Sequence, residues 1–114
     1  TFHDPCDLGR GARVFDEPRE LIRSIPGVRL VELPHHRETC MCCGGGGNLE
    51  MVDPDLAAKI GRDKIDEALS TGAQAVVTSC QQCVRTMTST VKRNKIQLEV
   101  LDIVQLVRRA LKKA

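Results

Sequence analysis

Six cysteines are the residues of this chain best suited to chemistry: Cys6, Cys40, Cys42, Cys43, Cys80 and Cys83. Five of them form the pattern C-x35-CC-x36-C-x2-C. Thiolates are soft ligands that favour zinc and iron–sulfur centres. Cys80-Gln81-Gln82-Cys83 reads as a Cys-x-x-Cys opening a helix. That placement sets two thiols beside a helix N-terminus, where the macrodipole and free N–H groups stabilise a thiolate or an anionic cluster. The adjacent Cys42-Cys43 fits poorly on one tetrahedral ion. It suits a polynuclear core whose neighbouring thiolates bind different metal atoms. Gly44-Gly45-Gly46-Gly47 follows at once. Such a run lets the backbone approach closely and adopt positive φ. Its N–H groups can form a nest around an anion or donate to metal-bound sulfur.

Other uses of these residues explain less. Three disulfides in a secreted domain would also consume six cysteines, but these are bunched, and no secretory signal opens the chain. A phosphate loop would use the glycines, yet the run lacks both a G-x-G-x-x-G after a clean strand and a Walker Lys-Ser/Thr. A thioredoxin-like exchanger would use Cys80 and Cys83 and leave four cysteines unexplained. A structural zinc site is the main alternative: Cys80 and Cys83 plus two of Cys6, Cys42 and Cys43 make a Cys₄ set. Cys40 reads as a spare thiol near the loop, and His35-His36 as a polar loop pair. His3 and Asp4 read as structural, with Asp4 able to accept from turn amides. Arg10 would either offset the charge at the site or bind an anionic substrate, or else form an ordinary surface salt bridge.

The elements that must position the cysteines alternate between two periodicities. Thr1–His3 reads as a strand stub ending at Asp4-Pro5. Pro18–Ile25 reads as a helix capped by Asp16 and stopped by Pro26-Gly27. Val28–Leu33 alternates as a strand, and Pro34 to Asn48 is the loop holding the cysteine and glycine cluster. Asp53-Pro54 starts a helix that runs to Ser70 and ends at Gly72. Ala75–Thr78 is a short apolar strand, Gln81–Arg93 a helix, and Ile96–Leu101 a fourth strand. Asp102 caps a last helix carrying Ile103, Leu106, Val107, Ala110 and Leu111. The order βαβαβαβα predicts an α/β fold: a small four-stranded parallel sheet in flavodoxin-like order 2-1-3-4, with helices on both faces. In such folds sites lie at the carboxyl ends of the strands. Cys6 follows the first strand, Cys42-Cys43 the second and Cys80 the third, so all three segments are expected at one sheet edge.

Composition narrows the function classes. The chain has 114 residues, 41% of them hydrophobic, with 17 Lys+Arg against 15 Asp+Glu, a net charge of +2. Its length suits one domain over residues 1–114. The charge is too small to argue for nucleic acid. With no Trp or Tyr, and only Phe2 and Phe15, there is no stacking platform for bases. No apolar run approaches the roughly 20 residues that span a bilayer. The expected compartment is reducing: the cytoplasm, or the cytoplasmic side of a membrane complex. The start at Thr1 suggests a fragment of a longer chain.

Four stretches together resemble a known family. They are His3-Asp4-Pro5-Cys6-Asp7-Leu8-Gly9-Arg10, Asp16-Glu17-Pro18-Arg19, Cys42-Cys43-Gly44-Gly45-Gly46-Gly47 and Thr78-Ser79-Cys80-Gln81-Gln82-Cys83. The chain is similar over nearly its whole length to the cysteine-rich CCG domain of the B-type and D-type components of heterodisulfide reductase, of the glycolate oxidase iron–sulfur subunit and of related oxidoreductases. The resemblance implies a noncubane [4Fe-4S] cluster held by Cys6, Cys42, Cys43, Cys80 and Cys83, with Gly44 and Gly45 beside it. It implies electron transfer or thiol–disulfide reduction in the C-terminal part of a larger iron–sulfur oxidoreductase. No cubane motif of the C-x2-C-x2-C-x3-C type is present. Electrons would therefore come from a ferredoxin-type iron–sulfur domain or from a flavin- or quinone-linked partner. Cys40 stands outside the family pattern, and Gln82 replaces the Pro or small residue that relatives often carry.

Overall fold

A computed structural model describes residues 1–113. Among the described residues there are five α-helices: α1 (Asp16–Arg23), α2 (Leu49–Val52), α3 (Pro54–Ser70), α4 (Gln81–Arg93) and α5 (Ile103–Lys113). The strands are β1 (Ala75–Thr78) and β2 (Glu99–Asp102). They pair in parallel, with Ala75 opposite Glu99 and Thr78 opposite Asp102.

This corrects the four-stranded expectation and its order 2-1-3-4: the sheet has two strands among the described residues. Thr1–His3 does run parallel to β1, but it makes one isolated bridge, Phe2 to Val77. Its bonds are His3 N to Val77 O and Val77 N to Thr1 O, both 2.9 Å. The chain then turns at Asp4-Pro5, too soon for a ladder to extend. Val28–Leu33 joins no ladder among the described residues. Within it, among the described residues, the one backbone bond is Val28 N to Ile25 O, 3.3 Å. A cleft of about 410 Å³ lies between it and the sheet, lined by Thr1, Val28, Leu30, Ala75 and Leu106. Side chains hold this segment in place of a ladder: Glu32 reaches Arg19, and Leu33 is buried against Ile65 and Met87. The expected Ile96–Leu101 strand is instead Glu99–Asp102, starting three residues later and ending one later.

Successive residues of a strand face opposite sides, and the core divides accordingly. Val76 packs with Leu33, Ile65, Ala68, Met87 and Leu98, the layer made by α3 and α4. Val77 packs with Phe2, Ile22 and Leu101, the layer covered by α1 and α5. Local chemistry sets the helix boundaries. Asp53 caps α3 by accepting from Leu56 N at 3.1 Å, and Pro54 takes the first turn. Asp102 accepts from Val104 N at 2.8 Å to start α5. Phe15, not Asp16, occupies the cap position of α1, and Asp16 sits in its first turn. Among the described residues, no helix is long and apolar enough to cross a membrane.

Candidate metal centre

Three chain segments meet where β1 and the Thr1–His3 segment end. Cys6 opens a wide turn over Asp7–Gly11, whose bonds join residues five apart: Gly11 N to Cys6 O and Ala12 N to Asp7 O, both 2.9 Å. Such π-type turns recur at functional sites. Cys80 occupies the cap position of α4 and Cys83 its first turn. The Pro34–Asn48 loop brings Cys42 and Cys43 over both. Cys6, Cys42, Cys43, Cys80 and Cys83 all line one cavity of about 410 Å³, together with His3, Arg10 and Gly45. Every cysteine of the C-x35-CC-x36-C-x2-C pattern therefore reaches the same space.

Within it, Cys43 Sγ and Cys83 Sγ are 3.4 Å apart, and both are buried. A ring nitrogen of His3 lies within 4.8 Å of both sulfurs. The hydrogen bond that the two thiols share pushes the Cys43 pKa below its usual range. The same bond pushes Cys83 upward. One proton is thus given up readily by the pair, and the other is held. His3 is pushed down to about 3, first by burial and then by the Lys64 charge, so the ring is neutral.

The glycines divide the work. Gly44 N–H donates to Cys42 Sγ at 3.3 Å. Gly44 also has φ +99°, and a Cβ there would stand 2.7 Å from Ala57 O of α3. It does not line the cavity, whereas Gly45 does. A Cβ on Gly45 would meet Thr86 Oγ1 at 2.1 Å. Among the described residues Arg10 makes no carboxylate pair. Its guanidinium donates to Cys40 O at 2.7 Å and Glu38 O at 3.3 Å, tying the first turn to the cysteine loop.

Two supporting residues have no role in the sequence reading: Arg19, which only closes the Asp16-Glu17-Pro18-Arg19 stretch, and Lys64, which lies outside every motif. Arg19 of α1 is fully buried. It grips both Asp4 oxygens at 2.7 Å, both Glu32 oxygens at 2.8 and 3.1 Å, and Phe15 O at 2.9 Å. Asp4 also accepts from Arg37 N–H at 2.7 Å, joining the Cys6 turn to the cysteine loop. Burial pushes the Asp4 carboxyl upward, but Arg19 and the Arg37 amide outweigh it and hold its pKa low. Lys64 of α3 is likewise fully buried, 3.4 Å from Cys40 Sγ and 3.3 Å from Glu67. Helical spacing offered a signal, since Ala57, Gly61, Lys64, Ile65 and Ala68 share one face of α3 and are all buried. Cys40 is buried behind the cavity wall against His3 and Lys64. His35 is exposed and pairs with Glu67 at 3.1 Å, while His36 Nδ1 is 2.6 Å from Leu33 O.

Residues 1–88, which span all five cavity cysteines, match the family model described as a cysteine-rich domain, CCG. The chain belongs to the CCG cysteine-rich domain family. It is 40% identical over 111 residues to a component of the dihydromethanophenazine:CoB–CoM heterodisulfide reductase of Methanosarcina barkeri, covering 97% of this chain and 27% of that protein. It is 37% identical to the probable iron-sulfur-binding oxidoreductase FadF of Bacillus subtilis, over 94% of this chain and 16% of that protein. It is 32% identical to a component of the fumarate reductase (CoM/CoB) of Methanothermobacter marburgensis, over 94% of this chain and 22% of that protein. The chain thus spans about a quarter or less of the length of these curated relatives. No solved structure matches it. The relatives are iron–sulfur proteins and oxidoreductase subunits by name, and this CCG domain shares the family's redox character at that level.

Proposed function

We propose that this CCG domain is the cluster-binding redox domain of a heterodisulfide reductase-like oxidoreductase. In this reading Cys6, Cys42, Cys43, Cys80 and Cys83 hold a noncubane [4Fe-4S] cluster. The observation that carries it is the convergence of five thiols on one cavity. A structural zinc ion uses four ligands, so a fifth thiol in the same space calls for more than one metal atom. The donor set is all sulfur, which suits iron–sulfur ligation. The N–H groups of the glycine run and of the α4 N-terminus lie where anionic sulfur would be stabilised. When bound, the cluster supplies one-electron redox chemistry at iron.

The chain's own residues would hold and shield that centre. Cys43 and Cys83 form its buried side, whereas Cys6 and Cys42 are exposed and form its open side. The open side is where a thiol or disulfide substrate would approach. Reducing a disulfide to two thiols takes two electrons and two protons. With no cubane motif in the chain, those electrons come from a partner: a ferredoxin-type domain or a flavin- or quinone-linked subunit. The names of the relatives, components of a heterodisulfide reductase and of a CoM/CoB fumarate reductase, support a thiol–disulfide couple as the substrate class.

Anaerobic reconstitution followed by iron, sulfide and zinc analysis tests the reading. The expected result is iron and sulfide in the proportions of a four-iron cluster, with loss of iron on Cys→Ser change at any of the five. One tightly held zinc ion with no sulfide uptake would replace the proposal with a Cys₄ structural site.

A further inference from the structure

The net charge of the chain is only +2, but its charges are unevenly placed. We propose that the outer face of α5, with the sheet edge it runs to, is a basic docking surface for an anionic lipid bilayer. The surface is independent of which metal the cysteine cavity takes.

The topology gathers the cations. β1 runs into Cys80, and β2 lies parallel to it. The helix after each strand therefore starts at the cysteine end and finishes at the far edge. There α4 carries Lys92 and Arg93 in its last turn, and Lys95 follows. α5 brings back Arg108 and Lys112, and its Arg109 pairs with Glu99, the first residue of β2. α1 ends at Arg23, and Arg29 lines the far-edge cleft with Gln74 and Glu99. Apart from Arg109, none of these cations bonds a carboxylate among the described residues, and all are exposed. From residue 1 to residue 112, every other Lys or Arg does pair with a carboxylate, except Arg10, which is held by carbonyls. The far-edge carboxylates are already matched: Glu99 by Arg109, and Asp66 and Glu67 near the end of α3 by Arg62 and Lys64. Asp7, Glu17, Asp53 and Asp55, which have no cation among the described residues, stand at the cysteine end. Cations favour helix C-termini, which accounts for Arg23, Lys92 and Arg93. Arg29 and Lys95 stand outside the helices, so that preference does not place them.

The apolar residues of α5 point to lipid. Val104 and Leu111 are 69% and 71% exposed. They share one helix face with Arg108 and Lys112, at i, i+4, i+7 and i+8. On such a face the apolar side chains enter the acyl boundary, while Arg and Lys reach the headgroup phosphates. Single-stranded nucleic acid would call for aromatic stacking, and Phe2 and Phe15 are buried. Cys43 and Cys83 pack in the α3–α4 layer, on the other side of the sheet from α5. A bilayer against α5 thus leaves the cysteine cavity open to water.

Vesicle co-sedimentation of the chain under reducing conditions tests the surface. It should pellet with vesicles in which about a third of the lipid is phosphatidylserine, and not with pure phosphatidylcholine. Salt at about 0.5 M should release it. Arg108→Gln combined with Lys112→Gln should weaken binding about 25-fold, since each cation near such a surface contributes about fivefold. Lys59→Gln, whose partner is Asp63 on α3, should bind as the wild type does. No pelleting with the anionic vesicles, or equal pelleting with the neutral ones, overturns the proposal. So does an Arg108 and Lys112 double variant that binds like Lys59→Gln. Leu111→Gln separates lipid from other anions: it should weaken vesicle binding about tenfold and leave binding to polyglutamate unchanged. Equal loss on both, or no loss on either, assigns the surface to an acidic protein and overturns the lipid reading. Where a variant fails to fold, the wild-type comparison across vesicles and salt still decides.

Discussion

Replacing Arg19 with methionine removes the cation that joins three parts of the scaffold. Asp4 loses two charge-assisted bonds of 2.7 Å and keeps only the Arg37 amide. Its side chain is 1% exposed, so water cannot take the place of the guanidinium, whereas Glu32 at 28% can turn to solvent. The loss therefore concentrates on one uncompensated buried carboxylate. Removing one partner of such a pair costs about 3–5 kcal/mol. Small domains have roughly 5–15 kcal/mol in total. For a chain of this size the cost corresponds to a fall in Tm of about 10–20 °C. Urea and thermal unfolding under reducing conditions measure it. The control is Arg13→Ala, whose pair with Glu38 is 64% and 52% exposed and should contribute less than about 1 kcal/mol. Adding Asp4→Asn to Arg19→Met removes the stranded charge, keeps an acceptor for Arg37, and should recover about 1–3 kcal/mol. If Arg19→Met destabilises no more than Arg13→Ala, or if the double variant recovers nothing, the buried strut is not what holds the Cys6 turn.

Three further outcomes are expected. His3 titrates near 3 in the fold and near 6.5 when unfolded, so between those values the unfolded chain binds more protons. Its contribution is complete above about pH 6.5 and falls away toward pH 3, with a slope of up to about 1.4 kcal/mol per pH unit. His3→Gln should flatten that part of the metal-free chain's stability–pH curve. Gly44→Ala, at φ +99° and 2.7 Å from Ala57 O, should cost about 1–3 kcal/mol in chemical denaturation. Gly46→Ala, with nothing within 4 Å, should cost less than about 1 kcal/mol. On side-by-side anaerobic reconstitution, Cys43→Ser should lose most of its iron and Cys40→Ser little. Equal losses would mean that the ligands are mis-assigned.

The sequence determined the helices with strong local signals and the grouping of the thiols. Asp53-Pro54 and Gly72 bracket α3, and the Cys80–Cys83 spacing opens α4, because caps and breakers act within a turn of where they stand. The strand ends before Cys6 and Cys80 and the loop around Cys42-Cys43 were legible too, and these bring the five thiols to one cavity. Only the tertiary structure decided the sheet. Val28–Leu33 carries the same alternation whether or not its backbone finds a partner. Here Glu32 and Leu33 anchor it through side chains, and the ladder never forms. The buried charges were equally hidden. Nothing in the spelling of Lys64 separates it from the exposed lysines around it, and the Asp16-Glu17-Pro18-Arg19 stretch does not say that its arginine is buried. Their burial follows from the partners that meet them in space, Asp4 and Glu32 for Arg19, Cys40 and Glu67 for Lys64, each brought there from another part of the chain or a neighbouring turn of helix.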